Sequence, residues 1–173
     1  MSAPTDPVVE IRVLDARLQH WGLPRYQSEM AAAIDLHACI DAPLVLAPGA
    51  PAQLVSAGIA VSLNDARLAA AIVPRSGLGH KKGLVLGNLW GLIDADYQGA
   101  ILISAWNRSA AGTDPIVIEP GERIAQMVFL PVVRPTFRAV EAFSARTARG
   151  DGGFGSTGTG RDSADPGSRA TMP

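Results

Sequence analysis

The 173 residues suit one compact domain with a loose end, and 47% hydrophobic against 18% charged residues argues against global disorder. A net charge of −1 supplies no general attraction to nucleic acid or anionic lipid, so any polyanion must be held by a local cluster of donors. Cys39 is the single cysteine, which excludes an intrachain disulfide and a cysteine-based zinc cluster. With no basic region leading an apolar stretch at the start and no window near 18 continuous apolar residues, the expectation is a soluble, reduced, cytoplasmic protein.

In chain order, apolar residues recur at strand rather than helix spacing. Val8, Val9, Ile11, Val13 and Leu14 form a first short run, much of it β-branched. Further runs cover Leu54–Leu63, Leu68–Val73, Ile101–Trp106, Ile116–Ile118, Ile124–Val133 and Thr136–Phe143. Turn formers separate them, among them Ala47-Pro48-Gly49, Pro74, Gly87-Asn88 and Glu119-Pro120-Gly121. The alanines at Ala31–Ala33 and Ala69–Ala71 are too few and too closely flanked by turn formers to sustain helices. The pattern predicts an all-β sandwich or barrel over residues 1–148. One short helix is predicted after Pro74, with Ser76 capping a turn through Gly77–Lys81. Residues 149–160 are a glycine-rich segment, RGDGGFGSTGTG, and residues 161–173 have almost nothing to bury and are expected to be disordered.

Five segments carry candidate chemistry. Val73–Gly83, VPRSGLGHKKG, follows a strand end with Arg75, Ser76 and Gly77. Backbone amides, a hydroxyl and a guanidinium are what a phosphate needs, although a capped turn with a surface basic patch (His80, Lys81, Lys82) would read the same. Gly87–Gly99, GNLWGLIDADYQG, sets Asp94, Asp96 and Tyr97 in an apolar region. At strand spacing the two aspartates share a face, and a carboxylate there can activate water; the alternative is a tight hairpin. In AAAIDLHAC, Asp35 lies between Ile34 and Leu36 and needs a partner, either structural or a magnesium-bound water, while His37 and Cys39 read as packing. Arg123 and Gln126 stand at the mouth of the apolar run PGERIAQMVFLPV. The glycine-rich segment offers Arg149, Ser156 and Thr157 as donors and Phe154 as a ring able to stack on a base; a floppy linker would also explain its glycines.

Singly these segments are ambiguous, but their order is specific. A buried IDL, then PRSG, GLIDADYQG, RIAQ and RGxGGFGSTG resembles the five motifs of the homotrimeric dUTPase family, bacterial type, from about Val8 to Gly158. Ala32-Ala33 stands where that family often has a glycine, and Trp90 where it often has a smaller residue. The resemblance implies a jelly-roll-like distorted barrel, three identical subunits and active sites shared between them. It implies hydrolysis of dUTP to dUMP and pyrophosphate with Mg2+, limiting uracil entry into DNA and supplying dUMP for thymidylate synthesis. It implies that Asp94 deprotonates the attacking water, that Tyr97 stacks under the deoxyribose, and that Asn88 reads uracil. Arg75, Ser76, Gly77 and Gln126 would meet the phosphates, Asp35 would hold magnesium through water, and Arg123 would be structural. Arg149, Phe154, Ser156 and Thr157 would close over the ligand as a lid. The rival readings are a dCTP deaminase-like or bifunctional enzyme, and a non-catalytic nucleotide-sensing module.

Overall fold

The structure is a computed structural model that describes residues 7–148, 150 and 151. The chain divides into two units, the first ending at Arg134 and the second beginning at Pro135. In the first, the strands are β1 (Glu10–Val13), β2 (Ala33–His37), β3 (Leu44–Leu46), β4 (Gln53–Ser62), β5 (Leu68–Pro74), β6 (Leu84–Leu86), β7 (Gly91–Ile93), β8 (Ala100–Asn107), β9 (Ile116–Ile118) and β10 (Arg123–Pro131). Two short helices accompany them, α1 (Leu18–Trp21) and α2 (Ser76–Lys81). One antiparallel sheet runs β1-β4-β8-β6, a second β2-β10-β5-β7, and β3 pairs with β9 in a ribbon. The all-β expectation is met.

The core follows from strand alternation. In β8, Ile101, Ile103, Ala105 and Asn107 are buried while Leu102 points out. The three apolar ones join Val55 and Ile59 of β4 and Ile34, Leu36, Ile72 and Met127 of the second sheet in one apolar cluster. Each fully buried Leu, Ile or Met contributes roughly 1.5–3 kcal/mol relative to exposure. The polar one, Asn107, is satisfied: its Nδ2 donates to Leu46 O at 3.0 Å and its Oδ1 accepts from Ser109 N at 3.0 Å. Gly58 sits at φ +69° where the pairing of β4 with β8 slips, and a Cβ there would collide with Cys39 Sγ. Any side chain would be strained there and would displace the core.

Several sequence expectations need correction. Thr136–Phe143 forms no strand; Phe137 and Phe143 are exposed, and no ladder pairs this alternating segment. The helix after Pro74 exists, but Ser76 is its first residue and not its cap. Arg75 takes the cap position in extended conformation and makes no side-chain capping bond. The sequence pattern does not predict helix α1, nor β2, β3, β6 and β7 as separate strands, all of which are present. The two alanine stretches lead into β2 and lie inside β5, as the rejection of helices there required. Arg149 and residues 152–173, on which the expectations of a closing lid and of terminal disorder rest, lie outside the described residues.

Candidate active site

Register assembles the first cluster. Central β10 pairs Gln126 with Asp35 of β2 on one side and with Val73 of β5 on the other, so Asp35 and Gln126 share a sheet face. Gln126 Nε2 donates to Pro74 O at 2.9 Å, tying that face to the turn that carries Arg75 and Ser76. Asp35, buried among apolar neighbours, accepts two guanidiniums: Arg75 Nε lies 3.0 Å from Oδ1, and Arg123 Nη1 3.0 Å from Oδ2. Arg75 Nη1 also donates to Arg123 O at 2.8 Å. Asp35 therefore has two structural partners, and Arg123 is one of them. Beyond this triad opens a cavity of about 860 Å³, lined by Asp35, Arg75, Ser76, Gly77, Gln126 and Lys81 among others. Four of its charged residues are cations (Arg75, Arg123, Lys81 and Lys82) against the single acid Asp35, a balance that suits a polyanion.

Asp35→Ala would leave the two guanidiniums facing each other with no carboxylate. Breaking a buried pair costs about 3–5 kcal/mol. Because the arginine side chains are 32% and 42% exposed, the loss should fall near the lower figure, about 3 kcal/mol. Urea titration should show the midpoint falling at unchanged slope. A change below about 1 kcal/mol would mean the triad is not a stabilising unit.

His37, in the same strand as Asp35, is buried beside Trp21, with ring centroids 6.5 Å apart. Burial first and the nearby Arg123 second hold its imidazole below the usual range, with Asp35 only partly opposing them. Burial likewise pushes the Cys39 thiol up to about 11. Both residues pack, as expected from the sequence.

The second cluster is separate. Strand β7 ends at Ile93, and Asp94–Tyr97 is a turn closed by Tyr97 N donating to Asp94 O at 3.1 Å. The expectation that Asp94 and Asp96 share a strand face is therefore not met, and neither is the tight hairpin: the turn links β7 of one sheet to β8 of the other. Asp94 and Tyr97 line a recess of about 190 Å³ with Leu92, Ile93, Ala100 and Leu102. Tyr97 Oη donates to Ala100 O at 3.0 Å, and its ring lies over Gly99 where any Cβ would collide. Asn88 sits in the β6–β7 turn beside Gly91, with Leu89 in left-handed conformation at φ +64°.

The two clusters lie at opposite ends of β5. Ile93 is opposite Ala70, whereas Arg75 follows the far end of the strand. Five residues at about 3.3 Å each separate them by roughly 16 Å. Arg149, Phe154, Ser156 and Thr157 lie outside the described residues. Lys81 and Lys82, read from sequence as a surface patch, are exposed and line the mouth of the large cavity.

The family model described as dUTPase matches residues 19–158. The chain belongs to the dUTPase family. The deoxyuridine 5'-triphosphate nucleotidohydrolase of Methylococcus capsulatus is 56% identical over 153 residues, covering 88% of this chain and 98% of that protein. The Sodalis glossinidius protein of the same name is 54% identical over 151 residues, covering 87% and 97%. Among solved structures, a dUTPase of phage 80alpha superposes with TM-score 0.75 at 25% identity, covering 88% of this chain and 99% of that one. A dUTPase of Staphylococcus aureus phage phi11, described with a structural Mg(II) ion, gives TM-score 0.69 at 23% identity, covering 80% and 99%.

Proposed function

We propose that the protein hydrolyses dUTP to dUMP and pyrophosphate at sites shared between copies of the chain, with Asp94 as the base. The observation that carries this reading is the separation along β5. A carboxylate able to activate water and a cationic cavity able to hold phosphates sit roughly 16 Å apart in one chain, too far to act on the same α-phosphorus. A second copy brings one chain's Asp94 and Tyr97 to another's Arg75, Ser76 and Gln126, and closed symmetry makes three such sites in a homotrimer.

In that arrangement the recess under Asp94 takes the nucleoside. Tyr97, held by its hydroxyl to Ala100 O, presents its ring to the deoxyribose and leaves no room for a 2′-hydroxyl. Asn88 offers amide groups to the uracil edge. Arg75, Ser76, the Gly77 backbone and Gln126 hold the phosphate chain, and Asp94 takes a proton from the water attacking in line. Arg149, Ser156 and Thr157 add donors and Phe154 a stacking ring. Among the described residues no three His, Cys, Asp or Glu side chains gather as a metal cage, and Asp35 is the one acid lining the cavity. That donor set fits magnesium held chiefly by phosphate oxygens and water, with Asp35 reaching it through water. When bound, the ion neutralises charge developing on the phosphates.

Product analysis with dUTP, UTP, dTTP and dCTP side by side tests this reading. Pyrophosphate and dUMP should appear from dUTP alone, and EDTA should suppress turnover. Orthophosphate release, metal-independent turnover or comparable rates with dTTP would overturn it, and uracil products from dCTP would favour a deaminase.

A further inference from the structure

We infer that Lys81 reads the terminal phosphate and so determines the preference for a triphosphate; this rests on the dUTP reading above. Four cationic side chains line the large cavity: Arg75, Arg123, Lys81 and Lys82. Three are already engaged. Arg75 and Arg123 both pair with Asp35, and Lys82 Nζ lies 4.0 Å from Glu122 Oε1. Among the described residues, Lys81 is the one cation of the lining with no carboxylate within 4.0 Å.

Its place on α2 suits the far end of a phosphate chain. Lys81 closes the helix that Ser76 opens, about 7–8 Å away along the axis. Gly77 and Lys81 stand four residues apart, on one face of the helix. Outside the helix itself, nothing lies within 4 Å of where a Gly77 Cβ would be, so the space beside Gly77 on that face is open. A flexible ammonium with three donors suits a phosphate as a point charge without fixed geometry. A lysine at a helix C-terminus also complements the helix dipole, and that purely structural role must be separated by experiment.

Steady-state kinetics with Mg2+ on the full chain make the separation, comparing Lys81→Met, Lys81→Arg and a His80→Gln control on the same helix. Lys81→Met should raise KM for dUTP and the inhibition constant of inorganic tripolyphosphate about tenfold, the size of one charge-assisted hydrogen bond. The turnover number and inhibition by dUMP should stay within about twofold, since dUMP lacks the terminal phosphates. Lys81→Arg should restore both constants, and His80→Gln should alter neither. Unchanged tripolyphosphate inhibition in Lys81→Met, or equal weakening of dUMP and tripolyphosphate, overturns the assignment. If the parent protein does not turn over dUTP, the functional reading fails instead; calorimetric titration of tripolyphosphate into parent and Lys81→Met then still decides the role of Lys81.

Discussion

Asp94→Asn should lower turnover by about 10²–10⁴ while leaving fold and substrate affinity nearly intact. That factor corresponds to about 3–5 kcal/mol of transition-state stabilisation. The asparagine preserves shape but cannot take the proton from water. Stability should be insensitive because Asp94 is exposed, has no ion pair among the described residues, and occupies a turn position that asparagine tolerates. The turn is closed through the Asp94 carbonyl, which the substitution leaves in place. Rapid-quench measurement of the chemical step, with dUMP binding followed in parallel, separates catalysis from affinity. A variant retaining more than about half of parental turnover would remove Asp94 from the role of base.

The second large effect concerns the division of labour between copies. Arg75→Gln should disable the phosphate side, and Asp94→Asn the water-activating side, so each variant alone should be nearly inactive. Mixed under conditions that exchange subunits, they should recover activity, because one chain retains Asp94 and the other Arg75. With equal amounts and random assembly, about one quarter of the sites combine the two intact halves. Native mass spectrometry of isotopically distinguished chains verifies exchange independently of activity. Verified exchange with no recovery would mean that both residues serve a site within one chain, against the span of β5. Because Arg75 also braces Asp35, the mixture can be repeated with Ser76→Ala should Arg75→Gln fold poorly.

The sequence revealed the fold best where periodicity was long. The ten residues of β4 and the nine of β10 alternate or run apolar long enough to be unambiguous, and the burial of Asp35 announced its need for a partner. Three-residue strands such as β3, β6 and β7 carry too little pattern to be read. Thr136–Phe143 misled for the opposite reason: the alternation is present, but no neighbouring strand accepts it. The identity of Asp35's partners is not legible, because Arg75 and Arg123 reach it from 40 and 88 positions away only through the pairing of β10 with β2 on one side and β5 on the other. Nor was the separation of Asp94 from Arg75. They lie 19 positions apart in the chain, yet β7 turns back along β5 and carries Asp94 to the far end. Lys81 looked like ordinary surface charge, since nothing in GHKKG distinguishes two lysines of which one faces Glu122.

Strand β5 bears on how such a chain can change over evolutionary time. Its middle, Ala69–Ala71, offers almost no chemistry of its own, so individual side chains there are open to conservative replacement within the limits of packing. Its length is another matter. Deleting or inserting a single residue would shift one end by about 3.3 Å relative to the other and turn the intervening side chains to the opposite face. Every residue of both clusters would survive such a change, yet neither cluster would still meet its counterpart on a neighbouring copy. Lineages should therefore tolerate substitution across these alanines far more readily than gaps, while loops such as Ala110–Asp114 should accept length changes freely.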